Sequence, residues 1–125
     1  MMKNIRTATL NDIQLIRHMA EQVFPATYKN IITAEQCDYM MDMMYSEASL
    51  RRQMTEEQHI YQLLFVDGDA AGYVSVQPID ADLYELQKIY VLPRYQGLHL
   101  GRELFDAAVA LVRKQRPGSC RIFLH

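Results

Sequence analysis

The segment Leu83–Arg102, LYELQKIYVLPRYQGLHLGR, contains the residues of this chain whose types and spacing best support chemistry. It predicts a strand, a short loop through Pro93, and a helix with Gly97 and Gly101 around its start. The first N–H groups of a helix lack intrahelical acceptors and the helix dipole adds positive potential there, so an anion can bind without a basic side chain. The segment therefore predicts a phosphate-binding site. The alternative is that the two glycines serve only a turn and a packing contact.

The stretch Glu85–Arg102 resembles motif A of the GNAT superfamily of acetyl-CoA-dependent N-acetyltransferases. That motif is Arg or Gln, two residues, Gly, one residue, then Gly or Ala. Gln96 matches its first position and Gly101 its last, while His99 stands where the middle Gly is usual. Gly97, the preceding IYVLPRYQ and the order of strands and helices also follow the family. The segments ATYKNIITAEQCDYMMDMMYS and ELQKIYVLP are similar to bacterial polyamine-type members.

The resemblance implies an α+β fold, the GNAT acyl-CoA N-acyltransferase fold, with a mixed, mostly antiparallel sheet and helices on both sides. The fourth and fifth strands of that fold splay apart to admit the pantetheine arm, and here they are Leu83–Leu92 and the strand from Cys120 onward. The resemblance further implies acetyl-CoA as co-substrate and no metal. The residues implied to bind acetyl-CoA, chiefly through main-chain groups, are Ile89, Tyr90, Val91, Gln96, Gly97, Leu98, His99, Leu100, Gly101 and Arg102.

His99 places a Cβ atom and an imidazole where the backbone of family members approaches phosphate. We expect His99 to take helical dihedral angles with its ring turned outward; the alternative is a loosened approach to the phosphate. We expect the imidazole ring to be solvated; the alternative is that it donates a hydrogen bond to the phosphate. Of the two nearby arginines, Arg102 in the first helical turn is by charge a better phosphate partner than Arg94.

Acetyl transfer needs a neutral amine nucleophile, and the departing thiolate benefits from a proton donor. The resemblance implies that Glu85, eleven residues before Gln96, is the base, acting directly or through water. The alternative is a solvent-facing glutamate on an alternating strand. Strict alternation places Glu85 on a mixed polar and apolar face, which indicates a β-bulge near Gln87 or Lys88. The family's acid is commonly a tyrosine after the fifth strand, a position that this sequence does not reach.

In the family, the first two helices and their loop shape the acceptor side, which corresponds here to Phe24–Tyr45. Glu35, Asp38 and Asp42 in this stretch can attract a cationic amine. The resemblance therefore implies a small-molecule amine, such as a polyamine, or a protein amine as acceptor. A solvated acidic helix face is the alternative.

The first half of the chain predicts a strand over Lys3–Ala8 and three helices. The first helix is capped by Thr9 with Asp12 and is expected to end at Pro25. Thr33 caps the second helix, and Ser46 caps a third that runs to about Gln58. An apolar stripe at helical spacing is expected to face the core, with a substrate cleft as the alternative; its members are Cys37, Met40, Met41 and Met44.

The second half predicts a hairpin of Ile60–Val66 and Ala70–Gln77 around Asp67-Gly68-Asp69. The remaining predicted elements are a polar turn at Pro78–Asp82, a helix over Leu98–Arg113 that Pro117-Gly118 stops, and a strand that Cys120 opens as a small buried hydrophobe. Tyr84 and Tyr90 are expected to be packing residues with a polar tip.

Composition excludes several classes of protein. The chain has 125 residues, 50% of them hydrophobic, and a net charge of -2, which fits one globular domain and argues against nucleic-acid binding. No apolar run is long enough to span a membrane and no leader pattern opens the chain. Two cysteines predict neither a disulfide framework nor a zinc site, and they suit a reducing, cytoplasmic location.

We expect residues 1–125 to form a single GNAT domain that is truncated within its fifth strand. An uncovered strand edge at that point predicts association with a second chain as a homodimer. The resemblance also implies that the elements walling the cofactor cleft and supplying the acid follow this point, which predicts cofactor binding with weak or absent turnover. Two functions stay open on the sequence alone. One is an N-acetyltransferase, and the other is a non-catalytic GNAT-like module that binds acyl-CoA or a partner protein, which His99 and the missing carboxyl-terminal part favour.

Overall fold

The structure, a computed structural model, describes residues 1–116 and 121–124; for residues 123 and 124 it describes the backbone only. It contains a five-stranded sheet whose strands follow one another in chain order, namely β1 (Lys3–Thr7), β2 (Ile60–Val66), β3 (Asp69–Asp80), β4 (Leu83–Val91) and β5 (Arg121–Leu124). Neighbouring strands are antiparallel, except that β4 and β5 pair in parallel. The helices are α1 (Ile13–Tyr28), α2 (Ala34–Tyr45), α3 (Glu47–Thr55) and α4 (Leu100–Gln115). Short 3-10 turns at Leu10–Asp12 and Pro93–Tyr95 precede α1 and α4.

Each face of the sheet buries its own apolar core. On one face α1, α2 and α3 pack on the strands, with Phe24 and Leu63 among the buried residues. On the other face α4 packs, with Leu64 and Leu104 fully buried. Consecutive strand residues point to opposite faces, which is why Leu63 and Leu64 lie in different cores. The predicted α+β architecture, a mixed sheet with helices on both sides, is confirmed.

The predicted helix caps and the hairpin are confirmed. The side chains of Thr9, Thr33 and Ser46 each accept a backbone N–H two or three residues ahead. Asp67 and Gly68, with φ of 51° and 90°, form the two-residue turn between β2 and β3. Both features depend on residues close together in sequence, so sequence alone could predict them.

Three predicted boundaries are wrong. α1 continues past Pro25 to Tyr28, because Pro25 is solvent-exposed and the edge-to-face contact of Phe24 with Tyr28, with centroids 5.1 Å apart, stabilises the last turn. β3 continues through Pro78 to Asp80 instead of turning, because Pro78 lies beside an irregularity in the β3–β4 register where a proline is tolerated. α3 ends at Thr55 and not near Gln58, whose φ of 61° is incompatible with a right-handed helix.

The carboxyl-terminal predictions are tested only in part. α4 begins at Leu100, later than the predicted Leu98, and ends at Gln115. β5 forms at Arg121–Leu124 as expected. The predicted stop at Pro117-Gly118 and the predicted burial of Cys120 lie outside the described residues. Across residues 1–116, the helices are all too short or too polar to cross a membrane.

Candidate active site

β4 carries a β-bulge at Gln87. Val76 of β3 pairs with Leu86, and the next β3 residue, Ser75, pairs with Lys88, so Gln87 has no partner on β3. An extra residue of this kind bends a strand and re-aims the side chains that follow it. The bulge predicted from the mixed face of β4 is therefore confirmed.

The bulge reverses the alternation of side chains along β4. Before it, Tyr84 and Leu86 lie in the core on the α4 side of the sheet. After it, Ile89 and Val91 pack on that same side, although they are odd-numbered. Lys88 consequently points toward α3 on the opposite face. The polar and apolar residues that strict alternation would mix on one face are separated by the bulge.

β5 covers only part of the β4 edge. It pairs with Leu83–Leu86, so the remaining edge of β4 pairs with no strand in the described part of the chain. Leu92 donates its N–H toward β3 at 2.8 Å. Since main-chain groups alternate along an antiparallel strand, those of Ile89 and Val91 point to the open edge and those of Tyr90 point to β3. Of the three strand residues predicted to bind pantetheine, Ile89 and Val91 thus direct main-chain groups to the open edge, whereas the main-chain groups of Tyr90 are directed to β3.

Gln96 ties the loop before α4 to the end of β4. Its side-chain Nε2 donates to the Val91 carbonyl at 3.1 Å, and its backbone N–H donates to the Pro93 carbonyl at 3.2 Å. Both groups are therefore engaged within the chain. Gln96 positions the loop, and the main-chain donors predicted for phosphate begin at Gly97.

The start of α4 has the geometry of an anion site. α2 and α3 begin at Thr33 and Ser46, whose side chains cap them, whereas α4 begins at His99, which makes no side-chain cap. The first N–H groups of α4 therefore have no intrahelical acceptor and no side-chain cap among the described residues, and the helix dipole adds positive potential to them. These groups belong to Leu100, Gly101 and Arg102. Because the Leu100 side chain is buried, this residue can contact a ligand only through its backbone N–H.

His99 has φ of 61° and ψ of 24°, in the left-handed region. The expectation of right-handed helical angles is wrong, whereas the ring is exposed, as expected. The chain turns into α4 through two left-handed residues, Gly97 at φ 86° and His99. Glycine alone enters this region without strain, which accounts for the glycine usual at this position of the motif.

The space beside the motif glycines is open. A Cβ atom added at Gly97 or Gly101 would meet no atom within 4 Å. Leu98, between Gly97 and the start of the helix, is 44% exposed. The backbone at the start of α4 is therefore accessible to a ligand.

The charged side chains around the start of α4 are already paired. Arg102 donates through Nε to Asp106 at 3.0 Å, and Lys3 lies 2.9 Å from Glu103. The Arg94 guanidinium lies over the Tyr95 ring, 4.9 Å from its centroid. Backbone N–H groups, more than free cations, make this helix start suitable for an anion.

Glu85 is half-buried on β4 and is held by the bulge residue. Gln87 donates through Nε2 to Glu85 Oε2 at 2.8 Å and to Gln77 Oε1 at 2.8 Å. The side chain of Gln87 thus orients the candidate base, while the adjacent backbone forms the open edge. The predicted packing roles of Tyr84 and Tyr90 also agree with the structure, since Tyr84 is buried and the Tyr90 ring lies 5.7 Å from that of Tyr73.

A cavity of about 340 Å³ opens beside the bulge on the α3 side of the sheet. We call it the bulge cavity. Its lining combines two methionines with polar and charged side chains, namely Met43, Met44, Ser49, Arg52, Gln53, Glu57, His59, Gln77, Gln87 and Lys88. Because Gln87 both lines the cavity and bonds Glu85, an amine in the cavity would lie near the candidate base.

Lys88 is a buried lysine that sequence reasoning missed. Its ammonium donates to Gln53 Oε1 at 3.0 Å and to the Tyr61 hydroxyl, and it lies 4.6 Å from the Tyr45 ring centroid. Burial lowers its pKa to about 8. The signal available in the sequence was a lysine beside a predicted bulge, but which face it points to depends on the bulge position.

His59, at the rim of β2, is a second buried group that sequence reasoning missed. Its side chain is 7% exposed, its Nε2 lies 3.7 Å from Glu57 Oε1, and its Nδ1 has no hydrogen-bond partner among the described residues. Burial, followed by the charge of Lys88, lowers its pKa to about 4. His59 is therefore neutral at physiological pH.

The predicted acidic residues of the acceptor side are only partly brought together. Asp38 and Asp42 line a groove of about 440 Å³ between α1 and α2, where they are joined by Glu21. Glu35 lies apart from this groove, at a separate depression beside Tyr39. We call the Glu21–Asp38–Asp42 side of the molecule the acidic groove.

The methionine stripe packs as predicted. Cys37 is buried, and Met40, Met41 and Met44 pack on the core beneath α1–α3. Met41 also borders the acidic groove and Met44 the bulge cavity. The stripe faces the core and its edges reach the two concave surfaces.

Comparison with known proteins gives one family and consistent structural relatives. The model of the acetyltransferase (GNAT) family matches residues 15–125. Spermidine N(1)-acetyltransferase from Thermoplasma acidophilum is 24% identical over 97% of this chain and 77% of its own length. The crystal structure of PaiA N-acetyltransferase from the same organism, in complex with coenzyme A, has a TM-score of 0.83 at 22% identity, covering 92% of this chain and 74% of that one. An aminoglycoside acetyltransferase, HMB0005, from an uncultured soil metagenomic sample has a TM-score of 0.74 at 12% identity, covering all of this chain and 80% of that one.

Proposed function

This chain belongs to the GNAT family of acetyltransferases, which transfer an acetyl group from acetyl-CoA to an amine, and we propose that its acceptor is a primary amine of a small, polyamine-like molecule. The observation that carries the proposal is the bulge in β4. At this point the open strand edge, the Glu85 carboxylate and the bulge cavity adjoin one another. A thioester along the edge and an amine in the cavity would therefore meet at the base.

The proposed donor site uses backbone groups. Ile89 and Val91 present main-chain N–H and C=O groups to the pantetheine amides, as a neighbouring strand would. The pyrophosphate lies at the start of α4, from Gly97 to Arg102, where N–H groups without acceptors and the helix dipole stabilise it. The open space beside Gly97 and Gly101 admits this approach.

In the proposed reaction, Glu85 removes a proton from the acceptor, directly or through water. The neutral amine attacks the thioester carbonyl, the new C–N bond forms and the C–S bond breaks, and the proton that the nitrogen loses as it becomes an amide neutralises the departing thiolate. Gln87 orients Glu85 through its hydrogen bond of 2.8 Å. Rates should rise as the pH increases toward the pKa of the amine, because only its neutral form is a nucleophile.

Two observations support a polyamine-like acceptor. The similar protein from Thermoplasma acidophilum is named for spermidine. The acidic groove places Glu21, Asp38 and Asp42 on the same side of the sheet as the bulge cavity, where further ammonium groups of a long acceptor would be attracted.

The experiment that tests the proposal compares Glu85→Gln with the parent protein. We expect kcat/KM for acetylation of spermidine to fall about 100-fold or more, because the proton acceptor is lost, while the Kd of acetyl-CoA stays unchanged. The matched control is Glu47→Gln, an exposed carboxylate on α3 whose partner is Arg51, and it should leave both quantities unchanged. Thiol release and calorimetric titration provide the two readouts.

An unaltered rate and pH profile in Glu85→Gln would remove this residue from the mechanism. Binding of acetyl-CoA by the parent protein without turnover on any amine would instead favour a non-catalytic acyl-CoA-binding module.

A further inference from the structure

Lys88 carries a buried ammonium group that the reaction proposed above does not use. The residue is 7% exposed and lines the bulge cavity. Its hydrogen-bond acceptors, the Gln53 side-chain oxygen and the Tyr61 hydroxyl, are neutral, and the Tyr45 and Tyr61 rings lie beside it. Among residues 1–116 and 121–124 no carboxylate forms a salt bridge with it. Lys88 is therefore a buried cation held by neutral hydrogen-bond acceptors and aromatic rings, and the charge of Glu57 favours its protonated form from beyond salt-bridge distance.

Of the charged and titratable groups around the cavity, Glu57 is the carboxylate whose charge favours protonation of Lys88, and it forms no salt bridge with Lys88 among the described residues. On the α3 side, Glu57 is paired with Arg52 at 3.2 Å, and His59 is neutral. On β4, Glu85 is bonded to Gln87. The surrounding phenols stay protonated because burial raises their pKa values, and they are Tyr45, Tyr61 and Tyr73.

An aliphatic amine reaches the protein as an ammonium ion, because its pKa resembles that of a free lysine, about 10.4. Two ammonium groups held close together disfavour each other, and one of them, Lys88, is buried, so the pair binds fewer protons together than the two groups bind apart. We propose that Lys88 and the acceptor amine share a single proton in the bulge cavity, and that the second proton is released to solvent when the amine binds. This inference rests on the proposed function, specifically on entry of the amine through the bulge cavity.

Shared protonation gives Lys88 a positioning role in the reaction. Because the pKa of Lys88 lies below that of a free amine, the form with the shared proton on Lys88 is the minor one. In that form the acceptor is a neutral nucleophile beside the thioester, and Glu85 removes only the proton that the attack itself acidifies. No covalent bond changes in this step, and the released proton goes to solvent. Amine binding is thereby coupled to activation of the nucleophile.

The test is a count of the protons released when spermidine binds to the protein saturated with coenzyme A. Calorimetry in phosphate and in Tris gives this number, since the two buffers differ in their heat of protonation. At pH 7 we expect about one proton per spermidine, because Lys88 and the amine are both charged beforehand. At pH 9 we expect almost none, because Lys88, with its pKa lowered to about 8, has already lost its proton. Equal release at both pH values, or no release at pH 7, would overturn the inference.

Three variants sharpen the test. Lys88→Met should abolish proton release at pH 7, since the amine keeps its proton near the carboxylates. Lys88→Arg should give about one proton at both pH values, because a guanidinium does not titrate in this range. Lys114→Met, on the exposed end of α4, is the control and should behave as the parent does. If Lys88→Met does not fold, the comparison of the parent with Lys88→Arg at pH 9 decides the question.

The same samples separate this inference from the proposed function. Acetylation of spermidine by the parent protein without proton release at pH 7 would overturn the sharing of a proton and leave the proposed function in place. Absence of both binding and turnover would overturn both.

Discussion

At the scale of single residues, the backbone angle of His99 connects the sequence motif with the anion site. The chain must turn sharply after Gly97 for α4 to direct its first N–H groups at a ligand, and this turn requires a left-handed residue at position 99. A left-handed conformation costs an ordinary residue about 1–2 kcal/mol, and glycine avoids this cost because it has no Cβ atom. His99 therefore retains the geometry of the motif at a cost in stability.

Replacing this residue tests that cost. We expect His99→Gly to raise the free energy of unfolding by about 0.5–1 kcal/mol, because relief of the left-handed strain exceeds the added entropy of the unfolded chain. His99→Ala should not raise it, because alanine keeps the Cβ atom and hence the strain. Urea titration measures both changes. A glycine variant that is less stable than the parent would contradict the strain argument.

Sequence reasoning reached some of the site residues and missed others for a physical reason. Glu85 and Gly101 were found because a local pattern resembles a known motif. Lys88 and His59 were missed because their importance lies in burial and in contacts with residues distant in sequence. The partners of Lys88, Gln53 and Tyr61, are separated from it by 35 and 27 positions.

At the scale of elements, the β4 bulge is the feature on which the whole site depends. It lies where the pairing of β4 with β5 ends, its residue Gln87 bonds Glu85, and it places Lys88 on the face opposite Leu86. Deleting Gln87 would restore regular pairing, with Leu86 still facing α4 and Lys88 still facing α3, because the two would then be consecutive residues of an unbulged strand.

This geometry yields a prediction that separates folding from function. The deletion of Gln87 should preserve the fold and its cooperative thermal unfolding. We expect kcat for acetyl transfer to fall about 100-fold or more, because Glu85 loses the side chain that orients it and the β4 edge loses the bend that the bulge introduces. Circular dichroism and thiol release are the measurements. Deletion of Asp82, in the turn between β3 and β4, is the comparison, and there turnover should fall less. A bulge-free protein with parental turnover would show that the bulge is dispensable.

Elements that depend on local residues were predictable, and those that depend on packing were not. The caps and the hairpin turn follow from side chains within three positions of one another. The continuation of α1 past Pro25 depends instead on packing of the last turn, and that of β3 past Pro78 depends on pairing with β4. The position of a proline in the sequence does not show whether packing or strand pairing carries the element past it.

At the scale of the whole molecule, the two faces of the sheet separate the two proposed substrates. The proposed donor site lies along the open edge of β4 and the start of α4, whereas the bulge cavity and the acidic groove lie on the side covered by α1–α3. Acetyl-CoA and the amine would thus approach from different sides and meet at the bulge. The net charge of -2 gives no general positive field for the donor's phosphates, so their binding depends on the backbone at α4.

The measurement that tests this account most directly is a calorimetric titration of acetyl-CoA into the parent protein and into Gly101→Glu. A Cβ atom added at Gly101 would meet no atom within 4 Å, so the backbone there accepts a side chain, and glutamate is a better helix former than glycine. The new carboxylate, however, lies against the proposed phosphate position. Ala110→Glu, on an exposed position of the same helix, is the matched control.

We predict that the parent protein and Ala110→Glu bind acetyl-CoA with the same Kd, and that Gly101→Glu binds at least about tenfold more weakly with no loss of thermal stability, since like charges repel across the helix start. Parental affinity in Gly101→Glu would contradict the assignment of the donor site to the start of α4.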